Sequence, residues 1–307
     1  MFDNMKIPPS IPRHSIACFG EVLWDLLPSG PQPGGAPMNV AYHLHKLNRN
    51  PAMISRTGKD ERGRKLLDIL QNKGVCTDYI QQDDTVPTGI VNAQQHANGD
   101  MTYEIVAPAA WDHITADDRT AAMVEQADYF VFGSLACRHP ASRETLFQLL
   151  EKARTKVLDI NLRAPHYDRP LIESLLQKAD ILKLNIDELE LVSGWYPGAV
   201  SITARLAHLR ERFSIPVIVL TMGANGAMLD INGKTYNHPG YKMKVVDTVG
   251  SGDAFLAATL SMMQDNAGPA DTLDFANRLA ATITTYKGAC PDYDIKEADS
   301  LKRITHI

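Results

Sequence analysis

A carboxylate directly after Gly-Ser-Gly at the head of a helix is chemically conspicuous. The stretch Asp247-Thr248-Val249-Gly250-Ser251-Gly252-Asp253 runs straight into the apolar, small-residue run Ala254-Phe255-Leu256-Ala257-Ala258. Small residues at Gly250, Ser251 and Gly252 let several backbone N–H groups point at one spot, and the positive end of the helix dipole points there too. That combination cradles a negative charge. A fixed carboxylate beside it repels an incoming anion unless it has a task of its own, and the task that fits is accepting a proton next to a phosphate. On these residues alone, a simple turn with Asp253 complementing its helix dipole is also a complete reading.

Other positions have types suited to the same chemistry. Gly34-Gly35-Ala36-Pro37-Met38-Asn39 opens a helix, and Gly-Gly followed by an early proline describes an ordinary helix start with Asn39 solvated. Asp25 stands at the far end of the first strand, where an acid faces solvent or a ligand. Asp159-Ile160-Asn161-Leu162-Arg163 offers a guanidinium fork for a phosphate or sugar oxygen. Asn185 and Glu188, one helical turn apart, can face one point, or serve as loop polar residues and a helix cap. Thr221-Met222-Gly223-Ala224-Asn225-Gly226 closes a buried strand with a glycine turn. Gly233-Lys234-Thr235 is no P-loop, because Met228 occupies the place of its first glycine, and no G-x-G-x-x-G follows the first strand, which argues against a dinucleotide oxidoreductase.

The elements that must position these residues alternate along the chain. A buried strand from Ser15 to Phe19 runs on toward Asp25, and a helix continues from Gly35 through Tyr42, Leu44 and Leu47, with Asn48 suited to a left-handed turn after it. A strand at Ala52–Ser55 leads to an amphipathic helix through Leu66, Leu67 and Leu70 that stops at Gly74. Gly89–Ala93 and Thr102–Val106, joined at Asn98-Gly99, read as an inserted hairpin that needs something to cover. After it come strands at Tyr129–Phe132, Lys156–Ile160, Ile181–Leu184 and Val217–Leu220, with helices at Ala141–Arg154 and Pro170–Lys178 between them, a hairpin turn at Asn232-Gly233, and a late helix from Phe275 to Tyr286. This alternation predicts an α/β fold with a parallel sheet covered by helices, and ligands in such sheets bind at the carboxyl ends of the strands.

At 307 residues, 44% hydrophobic and 22% charged, the chain can bury one large core with a small appendage. A net charge of -5 lacks the basic excess that nucleic acid or acidic membranes favour. No apolar run approaches the ~20 residues of a membrane span, and Met1 to His14 is polar and proline-rich rather than a signal peptide, so a cytoplasmic protein is expected. The four cysteines have no C-x-x-C pair and are expected to be reduced; the ten histidines are scattered, and His43 and His45 turn to different sides of a helix, against joint metal ligation.

Asp-Thr-x-Gly-Ser-Gly-Asp before a small-residue helix resembles the C-terminal signature of the ribokinase-like (PfkB) carbohydrate kinases. In the same order as in that family, Gly-Gly-x-x-x-Asn at 34–39, G-x-D-x-x-G at 58–63, D-x-N-x-R at 159–163, N-x-x-E at 185–188 and T-x-G-x-x-G at 221–226 are similar to its other elements; Asn48 departs from the common glycine. Ala110-Trp111-Asp112 resembles the bacterial fructokinase branch. The resemblance covers residues 15–295. It implies a single ribokinase-like α/β domain, with a central mostly parallel sheet flanked by helices and a small β-strand lid from strands around 22–34 and 86–107 that often also forms a homodimer contact. It implies ATP and Mg2+, with K+ as a further cation. In the roles it carries over, Asp253 takes the hydroxyl proton and Gly250, Ser251 and Gly252 stabilise the phosphoryl charge. Asp25, Gly34, Gly35, Asn39, Arg163 and Trp111 meet the sugar, and Asn185, Thr221, Gly223, Gly226 and Asn277 meet the nucleotide. Glu188 holds magnesium through water, and carbonyls after Asp247 and near Gly288 hold the monovalent cation. The acceptor expected is the C6 hydroxyl of fructose; ribose, 2-keto-3-deoxygluconate and nucleosides are the alternatives within kinases. A silent sugar-binding regulator is the alternative outside them, against which the retained Asp253 and glycines argue.

Overall fold

The computed structural model describes residues 14–95, 101–198 and 200–301. Its first strand, β1 (Ile16–Phe19), shows why the sheet is buried on both faces: Ile16 and Cys18 point into one core and Ala17 and Phe19 into the other, the two-residue alternation of a strand applied to an all-apolar run. The strand stops at Gly20, whose φ of +144° leaves the ladder, and the chain turns into β2 (Leu23–Leu27) and β3 (Gly30–Gly34). The expected single strand running toward Asp25 is therefore two strands in two different sheets.

In chain order there follow α1 (Ala36–Lys46), β4 (Pro51–Gly58), α2 (Glu61–Asn72), β5 (Ile80–Asp83), β6 (Gly89–Gln95) and β7 (Met101–Ile105). Asn48 has the left-handed conformation its type suggested, with φ +58°. Asp60 caps α2 by accepting from the Gly63 N–H. The turn expected at Asn98-Gly99 lies outside the described residues. Next come α3 (Asp118–Gln126), β8 (Tyr129–Gly133), α4 (Pro140–Leu150), β9 (Lys156–Asp159), α5 (Arg169–Leu176), β10 (Ile181–Asn185), α6 (Ile186–Ser193) and α7 (Ile202–Phe213). The chain closes with β11 (Val217–Thr221), β12 (Ala227–Ile231), β13 (Lys234–His238), α8 (Ser251–Gln264), α9 (Pro269–Ile283) and α10 (Lys296–Asp299). Helix α4 ends at Leu150, four residues before the expected Arg154. Helix α9 begins at Pro269, six residues before Phe275, because proline is preorganised for a first turn.

Among the described residues the strands form two sheets. The large one has the order β13-β12-β11-β10-β9-β8-β1-β4-β5, parallel from β11 to β5, with β12 and β13 added antiparallel at one edge. The core on one face takes residues from α3 to α7, and the other from α1, α2, α8 and α9. Phe19, Phe130 and Phe132 are at most 1% exposed, and burying such a side chain stabilises by roughly 1.5–3 kcal/mol. The small sheet has the order β3-β2-β6-β7, with β2 and β6 parallel and the outer pairs antiparallel. No described helix is long and apolar enough to cross a membrane, and all four cysteines are free thiols.

Candidate active site

Helix α8 is entered through its N-cap Gly250, which has φ +78° and offers no side-chain cap. Only glycine fits: a Cβ added here would stand 2.6 Å from Ala289 Cα and 2.7 Å from its carbonyl oxygen. Both the N–H of Ser251 (3.2 Å) and its hydroxyl (2.8 Å) donate to the Thr248 carbonyl. Ser251 braces the turn from within.

Asp253, in the first turn of α8, accepts through Oδ2 from Asn39 Nδ2 at 2.7 Å, although 214 residues separate the two. Asn39 sits in the first turn of α1, is 6% exposed, and receives the Cys290 S–H on its Oδ1 at 3.2 Å, which fixes which end of the amide faces the carboxylate. Burial pushes the Asp253 carboxyl up to about 7, and the nearby Asp159 adds to this; Lys183, the Asn39 hydrogen bond and Arg163 act the other way. A carboxyl poised there can take a proton near neutral pH.

Asp25, on β2, is pushed up to about 6 by burial, with Arg163 opposing. Its Oδ2 lies 2.2 Å from where a Cβ on Gly34 would be, and the Glu21 carbonyl lies 2.3 Å from the equivalent point on Gly35. Gly34 is thus fixed by the Asp25 carboxylate and Gly35 by the close approach of the Glu21 backbone. Arg163 is exposed, donates to the Leu162 carbonyl at 3.1 Å, and its charge reaches Glu21, Asp25 and Asp253.

Asn185 and Glu188 form a capping box at the start of α6: the Glu188 N–H donates to Asn185 Oδ1 at 2.9 Å and the Asn185 N–H to Glu188 Oε2 at 2.8 Å. Glu188 Oε1 also accepts from the Leu162 N–H at 2.9 Å, and burial followed by Asp159 raises its carboxyl. No cluster of three His, Cys, Asp or Glu suited to a metal occurs among the described residues. A donor set with one buried carboxylate whose oxygens already hold backbone N–H groups fits a hydrated magnesium ion, not a protein cage. Asp247 accepts from the N–H groups of Gly288 and Val249, each at 3.0 Å, so the two positions expected at a monovalent cation are tied together. Thr221 ends β11, and Gly223 (φ +56°) and Gly226 (φ +81°) form the tight turn into β12.

Two further expected site residues are held by contacts of their own. Trp111 is fully buried, with the Arg138 guanidinium 3.9 Å from its ring centre and Gly89 of β6 against its indole nitrogen; it packs the junction between the small sheet and the core. Asn277 folds back to donate to the Leu273 carbonyl of its own helix at 2.8 Å.

Two residues went unread in the sequence. Lys183 donates to both Asp159 oxygens at 3.0 Å, and its Nζ lies 3.1 Å from the Cβ position of Gly252, against the first turn of α8. Burial works against its charge, but Asp159, Asp253 and Glu188 together hold its pKa above the usual lysine value. Its signal was a lysine inside the otherwise apolar Ile-Leu-Lys-Leu of β10. Glu21, 3% exposed, accepts through Oε1 from the Ala36 N–H at 3.2 Å, supplying the cap that Gly35 cannot. Its Oε2 has no partner among the described residues, and burial pushes the carboxyl up to about 7. An acid in the apolar segment between Phe19 and Trp24 was its signal.

Comparison with known proteins bears on this geometry. Residues 30–296 match the family model described as pfkB family carbohydrate kinase. The chain is 30% identical to a fructokinase of Klebsiella pneumoniae, over 92% of this chain and 97% of that one. An uncharacterized sugar kinase from Pyrococcus horikoshii shares its fold with a TM-score of 0.79 at 27% identity, covering 93% of this chain and 99% of that one. The fructokinase of Vibrio cholerae O395, solved with fructose, ADP and a calcium ion, gives 0.77 at 25% identity, over 91% and 95%.

Proposed function

The chain belongs to the pfkB family of carbohydrate kinases, and from that premise we propose that it transfers the γ-phosphoryl group of ATP to the C6 hydroxyl of fructose. The observation that supports this most is the 2.7 Å contact between Asn39 and Asp253, which joins a hydroxyl-binding amide to a carboxyl poised near neutral pH at an uncapped helix start. In this reading Asn39 and Asp25 grip the sugar, and Asp253 accepts the proton of the attacking hydroxyl while the backbone N–H groups of Gly250 and Gly252 face the charge on the phosphoryl oxygens. Ser251 contributes by holding the turn. Lys183 keeps the Asp253 carboxylate accessible against Asp159. Arg163 lends positive charge to the same space.

Thr221, Gly223, Gly226 and Asn185 lie on the carboxyl-end turns where the nucleotide would rest. Glu188 would hold magnesium through water, and carbonyls around Asp247 and Gly288 a potassium ion; the divalent ion neutralises phosphate charge. The small sheet acts as a lid, excluding water that competes for the phosphoryl group. The test is a coupled ADP-release assay with fructose, ribose, 2-keto-3-deoxygluconate and a nucleoside. Fructose is expected to give the highest kcat/KM. A higher value with another acceptor reassigns the substrate, and no ADP release with any of them overturns the reading.

A further inference from the structure

Helix α1 brings Asn39 to Asp253, and one turn later the same helix presses on the segment that walls the cradle. The Tyr42 hydroxyl donates to the Pro291 carbonyl at 2.5 Å and Lys46 Nζ reaches Asp292 at 3.0 Å. Between them His43, fully buried, places Nε2 2.9 Å from the Ala289 carbonyl and Nδ1 3.1 Å from the Tyr293 hydroxyl. A carbonyl only accepts, so Nε2 carries the hydrogen and Nδ1 of the neutral ring accepts from Tyr293. Burial pushes His43 down to about 4 against the pull of the Ala289 carbonyl, and Lys46 and Lys73 act in the same sense as burial. The ring is thus neutral and held in one tautomer at physiological pH.

Ala289 is the shared part. Its carbonyl receives His43, and its Cα and carbonyl are the atoms packed against Gly250 at the head of α8. A helix carrying an acceptor-binding amide and a loop shaping the phosphoryl cradle are thereby joined through one imidazole. Lys73 adds a bond from α2's end to the neighbouring Cys290 carbonyl at 2.8 Å, so the loop is held from two sides; His43 is the side chain that hydrogen-bonds Ala289 itself, the residue that touches Gly250.

We propose that His43 is a positioning residue for phosphoryl transfer: its Nε2–H holds Ala289 against Gly250, so that α1 sets the shape of the cradle as well as the place of Asn39. The inference rests on the kinase reading above. It predicts a dependence on one nitrogen of the ring. The amide of glutamine reaches the place of Nε2, whereas that of asparagine reaches only the place of Nδ1.

The experiment compares His43→Gln, His43→Asn and His43→Leu with the wild-type chain in sugar-dependent ADP release, in melting temperature, and in amide hydrogen exchange of the peptide covering Gly250 to Asp253. His43→Leu is expected to lower kcat by about tenfold with sugar KM changed less than about twofold, since Asn39 keeps its contact. His43→Gln should recover most of kcat and His43→Asn should not, with faster exchange at Gly250–Asp253 in the Leu and Asn variants only. Equal kcat and exchange in the Gln and Asn variants, or wild-type values in His43→Leu, overturn the proposal. If His43→Leu does not fold, the Gln and Asn pair decides. If the wild-type chain releases no ADP with any sugar, the kinase reading is what fails, and the exchange pattern alone still decides whether His43 sets the cradle.

Discussion

Replacing Asp253 with asparagine should move activity and stability in opposite directions. The substitution is isosteric, and the new amide oxygen can still accept from Asn39 Nδ2, so the contact between α1 and α8 survives. What is lost is the proton acceptor, worth roughly 10²–10⁴ in kcat for a positioned base. What is removed is a carboxyl raised from 3.8 to about 7 by burial and by Asp159. Converted directly, that shift corresponds to about 4 kcal/mol against the ionised form, and partial exposure at the head of the helix reduces it to about 2 kcal/mol. The sign follows from proton counts. Between about pH 4 and 7 the folded carboxyl holds a proton that the unfolded one has released, so the folded wild type binds more protons and loses stability as pH rises through that window. Above about 7 the loss is complete. Asp253→Asn should therefore melt higher than the wild type at pH 8, by a few degrees, and the gap should close toward pH 4. The assays are coupled ADP release and thermal melting across pH 4 to 8. Turnover near that of the wild type removes Asp253 from the chemistry, and a pH-independent melting difference removes the buried-charge argument.

Asn39→Ala should weaken sugar binding by about 1–3 kcal/mol in titration calorimetry, because hydroxyl partners go unpaired; unchanged affinity would misplace the acceptor site. The kcat/KM profile should fall on the acid side with a midpoint near pH 7, where Asp253 gains its proton, and Asp159→Asn should move that midpoint to lower pH by removing a neighbouring negative charge. A midpoint that stays in place would separate Asp159 from Asp253. Gly250→Ala should lower kcat by roughly 10²–10³ by pushing the cradle away from Ala289, measured in the same assay beside a melting curve; wild-type kcat would show that this turn does not shape the transition state.

The parallel sheet was readable because its strands are short apolar runs between helix patterns, and the cradle because glycine and aspartate are a strange pair to place together. Pairing across the sequence was not readable. Asn39 and Asp253 were each singled out, but only the β1-to-α1 crossover and the packing of α8 on α1 bring them to 2.7 Å. That a Cβ at Gly34 would meet Asp25, and one at Gly35 the Glu21 backbone, is a long-range fact that local composition cannot reveal. β3, Gly-Pro-Gln-Pro-Gly, has almost no strand propensity and exists because β2 offers it an edge. Glu21 and Lys183 sit inside apolar runs, where a single charge is easily passed over, and their partners come from other elements. Trp111 and Asn277 each meet a packing or helix-backbone need nearby, which the sequence pattern alone does not show.

Where the chain passes from the large sheet to the small one and back, it is too thin to be thickened. Gly20 lies against Pro37 and Gly35 against the Glu21 backbone, each so close that one added methyl would collide at 2.8 and 2.3 Å. Enlarging either residue would force the two passes apart, so substitutions that reshape this side of the protein fall on the neighbouring strands β2 and β6.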